Sequence, residues 1–233
     1  MPEIDILAIG AHMGDEVAWG AALAAHARQG LSIGLLHLTP GEKGHPTLPP
    51  EAYAAQKREE AAACAARLGA SIWALDHRDG ELRDDDALKF EVADVLREAR
   101  PKAVVTHWAG SMHKDHAAAH RLLADAIFYA ALPGFQRALP PTPGPRVFYG
   151  ENWEDLEGYE PEVFVELLDE DLERWEEAMR SYALFRGGVS KFEYLDYYRA
   201  LARARGCETG FRYAATFAVP PRARRRRVPS LLG

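Results

Sequence analysis

Cysteine is scarce in this chain: Cys64 and Cys207 are the only two in 233 residues. Cys64 falls in an alanine-rich helical stretch, so a disulfide framework is not indicated and a reducing, cytoplasmic setting is expected. Long apolar runs are missing too. No stretch approaches the roughly 20 residues needed to cross a bilayer, and Pro2-Glu3 follow Met1 where an export signal would place basic and then hydrophobic residues. A membrane partner is therefore not expected. Positive charge is short except in one place: the formal net charge is −7, yet Arg222, Arg224, Arg225, Arg226 and Arg227 crowd into the C-terminal end. The body is thus more acidic than the total shows, which argues against nucleic acid as a partner. Those arginines, beside Pro220, Pro221 and Pro229, read as a flexible basic tail over 220–233. The turn after the first apolar run also lacks a Gly-x-Gly-x-x-Gly phosphate loop, which argues against a nucleotide-binding site.

What the sequence does have is alternation. Apolar runs rich in β-branched residues at 4–10, 32–39, 71–75 and 103–107 alternate with helix-length Ala, Leu and charged stretches at 15–29, 50–68, 87–99 and 116–131. Gly30 and Gly69 stand as C-terminal stops, and Pro101 lies just beyond the third helix. This order predicts an α/β, Rossmann-like three-layer fold with a mainly parallel sheet. After a proline-rich connection at 140–145, strands at 147–149 and 163–168 and helices at 171–185 and 192–204 read as a C-terminal elaboration of one domain, 1–233.

In an open parallel sheet, ligands bind beyond the carboxyl ends of the strands. Two clusters of metal-binding residue types fall there: His12 and Asp15 in Ala11-His12-Met13-Gly14-Asp15-Glu16, and His113-Lys114-Asp115-His116 after the run at 103–107. A catalytic zinc takes three protein ligands and leaves a position for water. His12, Asp15 and His116 supply that set, for one Zn2+ per chain. His113 then stands beside the ion, able to stabilise an oxyanion or protonate a leaving amine, while Asp115 holds an imidazole in its required tautomer. Loops 39–44 and 76–80 frame the same pocket. Blander readings stand beside these: Asp15 as a helix N-cap, His116 and His120 as an i,i+4 pair, His37 as a core residue, and Trp108 as pocket wall or packing.

The two motifs, in this order, resemble the PIG-L/LmbE-like family of zinc-dependent N-deacetylases, whose first motif reads Ala-His-Pro-Asp-Asp-Glu and whose second reads His-x-Asp-His. The pattern is echoed by Thr39-Pro40-Gly41-Glu42, by Glu60 ahead of Leu68-Gly69, by Asp79-Gly80 and by Tyr213-Ala214-Ala215-Thr216-Phe217. The resemblance implies hydrolysis of an N-acetyl group from an amino sugar or glycoside, with zinc on the positions matching His12, Asp15 and His116, and His113 assisting the tetrahedral intermediate. It implies that Asp79 holds sugar hydroxyls, and it puts Lys57, or the adjacent Arg58, where family members have a substrate-contacting arginine. The implied partner is a small N-acetylated amino sugar. Family members frequently assemble, so a homo-oligomer is compatible.

The chain departs from the family pattern at the general base, where Gly14 replaces an aspartate; Met13 replaces a proline and Ala215 a glutamate. Glu16, Glu42 and Asp115 are candidates to take over the base, and Glu42, in a Gly-flanked loop, is expected to face substrate. The rival reading is a non-catalytic or very weakly active zinc- and sugar-binding protein that has lost its base. A third is a related reaction whose base lies on the substrate.

Overall fold

A computed structural model of the chain describes residues 3–155 and 157–224. Its strands are β1 (Ile6–His12), β2 (Ile33–Thr39), β3 (Ala70–Ala74), β4 (Ala103–His107), β5 (Arg146–Gly150), β6 (Val163–Leu167) and β7 (Tyr213–Ala218). Its helices are α1 (Gly20–Arg28), α2 (Pro50–Leu68), α3 (Asp86–Ala99), α4 (Lys114–Ala131), α5 (Asp169–Met179) and α6 (Tyr194–Thr209). The sheet order is β3-β2-β1-β4-β5-β7-β6. The first five strands are mutually parallel, whereas β7 runs antiparallel to both β5 and β6.

β1, β2 and β4 are buried along their whole length, as strands covered by helices on both faces must be, and this is why they read as unbroken apolar runs. Along β1, side chains alternate between two cores. Ile6 and Ala8 pack with α1, α2, α5 and α6, and Leu7, Ile9 and Ala11 pack with α3 and α4. The layers are therefore helix, sheet, helix, as the βα alternation predicts.

From β1 the chain fills one side of the sheet with β2 and β3, then returns to add β4 on the other side. The strand order thus reverses between β1 and β4, and a crevice opens at such a point beyond the strand ends. His12 ends β1 and His107 ends β4.

Three elements differ from expectation. The helix expected over 15–29 is split into a 3-10 turn, Asp15–Val17, and α1 from Gly20, because the Asp15 and Glu16 carboxylates fold back onto the N–H groups of His12 and Gly14. The helix expected to reach 185 stops at Met179, and a second 3-10 turn follows at Ala183–Arg186. The segment at 213–218, read only as a family motif, is a strand inserted between β5 and β6. Of the expected basic tail, Pro221–Arg224 form a 3-10 turn and 225–233 lie outside the described residues. No helix among the described residues is long and apolar enough to cross a membrane.

Candidate metal centre

Gly14, at φ +105°, lets the chain reverse sharply after β1 and brings Asp15 back beneath the strand end. Asp15 Oδ2 accepts from the His12 backbone N–H at 2.7 Å and lies 3.0 Å from His107 Nε2. Its other oxygen, Oδ1, faces His116 Nε2 at 3.5 Å. His116 Nε2 is 3.3 Å from His12 Nδ1, and His12 Nδ1 is 3.5 Å from the Asp15 carboxylate. Bonds of about 2.0–2.2 Å to a tetrahedral zinc place its ligands roughly 3.3–3.6 Å from one another. The two imidazole nitrogens and the Asp15 carboxylate, with Oδ2 towards His12 and Oδ1 towards His116, stand near that spacing, and all three residues line a cavity of about 410 Å³.

The far nitrogens of both imidazoles are also held. His12 Nε2 lies 3.2 Å from Asp79 Oδ1 and 3.4 Å from Asp115 Oδ2. His116 Nδ1 lies 3.2 Å from Ser111 Oγ and 3.0 Å from Glu154 Oε2, the latter off the N–H direction, so that contact is coulombic. Carboxylates on the outer nitrogen of a ligating histidine fix its ring and strengthen it as a ligand. Burial lowers the pKa of each ring, but the surrounding carboxylates outweigh it, carrying His116 up to about 9 and His12 well above the usual imidazole range. A field of that sign favours any cation. Glu154→Ala is expected to weaken zinc binding by about 10–100-fold while leaving one zinc per chain at saturation. Chelator competition measures this, and an unchanged affinity would reduce Glu154 to packing.

His113 caps α4, its Nδ1 accepting from the Asp115 backbone N–H at 3.3 Å. The ring proton therefore sits on Nε2. Burial, and then the charges of His12 and His116, lower the His113 pKa, so it is a neutral imidazole with one N–H to give. It lines the cavity beside the trio, with one ring nitrogen within 4.8 Å of a ring nitrogen of His12 and of His116.

The other expected site residues divide. Asp79 and Lys57 line the cavity. Asp79 Oδ2 also accepts from the Lys43 N–H at 3.0 Å. Asp115 is fully buried, and its carboxylate goes to His12 while only its backbone N–H meets His113; its oxygens accept from Gly80 N at 2.6 Å and Leu82 N at 3.3 Å, which pins the loop carrying Asp79. Arg58 does not reach in: it is exposed on α2 and pairs with Asp76. Glu42 spends both oxygens on the Asp79 N–H, at 3.1 and 3.2 Å. None of Glu16, Glu42 and Asp115 borders the cavity, which corrects the expectation that one of them replaces the base.

Glu16 instead sits behind the site. Its Oε2 accepts from Gly14 N and faces His37 Nε2, each at 3.0 Å, and its Oε1 accepts from Tyr182 OH at 2.6 Å. Burial raises its pKa, but the His37 and Tyr182 contacts overcome this and hold it at about 2. A depressed carboxylate stabilises the fold above its unfolded value and loses that contribution as pH falls through the folded one. Glu16→Gln is expected to cost about 3 kcal/mol at pH 7, at roughly 1.4 kcal/mol per pKa unit, and to flatten the loss of stability between about pH 4.5 and 2. Denaturant unfolding across that range checks it; an acid limb as steep as wild type would contradict it.

Two side chains in contact with Asp15 or His116 escaped the sequence reading. His107 is buried at the end of β4 beside Asp15, and its ring stacks on His116 with centroids 3.9 Å apart; burial, then the charge of His116, push its pKa down to about 4. Glu154 sits on the segment after β5. His107 had a signal, a histidine at a strand end at the sheet switch; Glu154 had none.

A family model described as PIG-L, GlcNAc-PI de-N-acetylase, matches residues 7–127. The chain is 28% identical over 218 residues to a 4-oxalmesaconate hydratase of Pseudomonas putida, covering 89% of this chain and 81% of that one. It is 33% identical over 171 residues to a 1D-myo-inositol 2-acetamido-2-deoxy-alpha-D-glucopyranoside deacetylase of Thermobifida fusca, covering 59% and 58% of the two chains. It therefore spans little more than half of that deacetylase. Among solved structures, the 4-carboxy-2-hydroxymuconate hydratase GalB of Pseudomonas putida superposes with a TM-score of 0.83 at 25% identity, over 99% of this chain and 100% of that one. The N,N'-diacetylchitobiose deacetylase of Pyrococcus horikoshii shares the fold, with a TM-score of 0.80 at 22% identity over 97% and 87% of the chains.

Proposed function

We propose that this chain, which belongs to the PIG-L family, is a zinc-dependent hydrolase that removes an N-acetyl group from a small amino sugar or glycoside. The observation that carries this reading is the convergence of His12 Nδ1, the Asp15 carboxylate and His116 Nε2 at tetrahedral spacing, beside a neutral His113. Zinc on that trio would lower the pKa of a water molecule towards neutrality and polarise the substrate carbonyl. His113 gives its Nε2–H to the carbonyl oxygen as negative charge develops there. Asp79 and Asp115 keep the His12 ring oriented through Nε2, Ser111 Oγ holds His116 through Nδ1, and Glu154 sets its negative charge beside that nitrogen. Asp79 Oδ1 and Oδ2 each keep a lone pair for a substrate hydroxyl.

Acetate release from a panel of N-acetylglucosaminides tests this. Turnover is expected with zinc, lost on chelation and restored on reloading. Zinc-loaded protein that releases no acetate from any member of the panel would overturn the reading.

Position 14 favours a second reading. Gly14 offers no carboxylate to take a proton from water, and the hydratase relative covers most of both chains. The same residues would then direct water onto an unsaturated carboxylic acid, and the product would gain the mass of one water with no acetate formed.

A further inference from the structure

Lys57 is 3% exposed, yet no carboxylate among the described residues stands within ion-pair distance of it. Its ammonium donates to the Met13 carbonyl and lies between the rings of Tyr182 and Tyr53, 4.9 and 5.7 Å from their centroids. The carbonyl occupies one of three N–H groups. Lys57 lines the same cavity as His12, Asp15 and His116. Its Nζ would stand 3.2 Å from a Cβ at Gly14, which is to say in the space that a side chain at position 14 would enter.

The two positions are therefore coupled. Where the first motif would carry a carboxylate, this chain has a bare backbone with a buried cation over it. Burying an ammonium without a partner is costly, and a carboxylate brought beside it relieves that cost with a charge-assisted hydrogen bond. Burial lowers the Lys57 pKa, with Glu16, Asp15, Glu60 and Asp79 acting against it from a distance, so the amine gains most from an anion in contact.

We infer that Lys57 Nζ, over the space left open by Gly14, is the seat for a carboxylate group of the substrate, so that this cavity takes an anionic small molecule. The inference rests on the reading of the cavity as a substrate site and holds for either reaction proposed above. It also accounts for Gly14: an aspartate there would occupy the seat and pair with Lys57, besides forcing an L side chain into φ +105°.

Calorimetry of zinc-loaded protein with fumarate and its neutral diamide, fumaramide, tests the seat. Wild type is expected to bind fumarate at least about tenfold more tightly than fumaramide. Lys57→Met and Lys57→Gln are expected to lose that preference while keeping wild-type zinc content and melting temperature. Equal binding of the two probes by wild type, no binding of fumarate, or a preference that survives in both variants, as direct capture of fumarate by zinc would give, overturns the proposal. Wild type that takes up no zinc but shows a Lys57-dependent preference for fumarate keeps the seat and refutes the metal reading instead.

Discussion

His116→Ala is expected to lower zinc affinity by more than about 100-fold, beyond the range seen when a supporting group is removed, and to abolish turnover. His116 Nε2 is the donor that meets both His12 Nδ1 and Asp15 Oδ1, so its loss removes two of the three edges of the ligand set. The remaining pair, His12 and Asp15, cannot close a tetrahedron. Nearby His113 has Nδ1 committed to the Asp115 N–H, which leaves only its protonated Nε2 facing the site. His113→Ala is accordingly expected to keep the metal and lose turnover by roughly 10²–10⁴-fold, the range for a positioned proton donor. Elemental analysis beside activity separates the two roles. A His113→Ala protein that came out free of zinc would mean that the ligand set has been drawn on the wrong histidines.

Arg97→Met is expected to destabilise the fold by about 3–5 kcal/mol, the range for leaving buried polar groups without their charged partner. For a chain of this size that lowers Tm by roughly 10 °C. Arg97 projects from α3 and is buried. Its Nε donates to Ala130 O at 3.1 Å, its Nη1 to Leu139 O at 2.9 Å, and its Nη2 reaches Tyr129 O, Leu132 O and Phe135 O at 2.9–3.0 Å. One guanidinium thus gathers the carbonyls at the C-terminus of α4 and in the segment after it, of which Ala130 O and Leu132 O also accept from the N–H groups of Thr142 and Phe135. The other end of α4 carries His113 and His116, so the same helix links this anchor to the site. Arg97→Lys is expected to recover only part of the loss, since an ammonium cannot span five carbonyls. Thermal unfolding measures both, and a Tm within 2 or 3 °C of wild type for Arg97→Met, about 1 kcal/mol on this scale, would show that water replaces the guanidinium.

The parts of this architecture that could be read from the chain are those set by short-range rules. β1, β2 and β4 are unbroken apolar runs because both of their faces are covered, and Gly69 and Pro101 punctuate helices by local backbone chemistry. The meeting of His12, Asp15 and His116 was legible for a similar reason: His12 and Asp15 are three residues apart, His116 opens a helix after a strand, and the parallel order sends both clusters to one edge. What depended on distant pairing was not legible. β7 lies between β5 and β6 through contacts that no local pattern announces. Glu154 meets His116 across 38 positions of sequence, the Asp115 carboxylate turns to His12 and Gly80 and leaves His113 only the backbone N–H, and Arg58 differs from Lys57 only by one step around α2. Arg97 reads in sequence as one more charged helix residue, and only the end of α4 explains its burial. At Gly14 the substitution was visible, but its consequence, a lysine ammonium over the vacated space, needed the geometry of α2 against β1.

Diffraction from zinc-soaked crystals, collected at the zinc absorption edge, is the most direct test that His12, Asp15 and His116 hold one metal ion. A single anomalous peak is expected about 2.0–2.2 Å from His12 Nδ1, an Asp15 oxygen and His116 Nε2, with Asp79 and Glu154 on the outer nitrogens of the two rings. No peak at that position, or a peak ligated by His113 in place of Asp15, would contradict it.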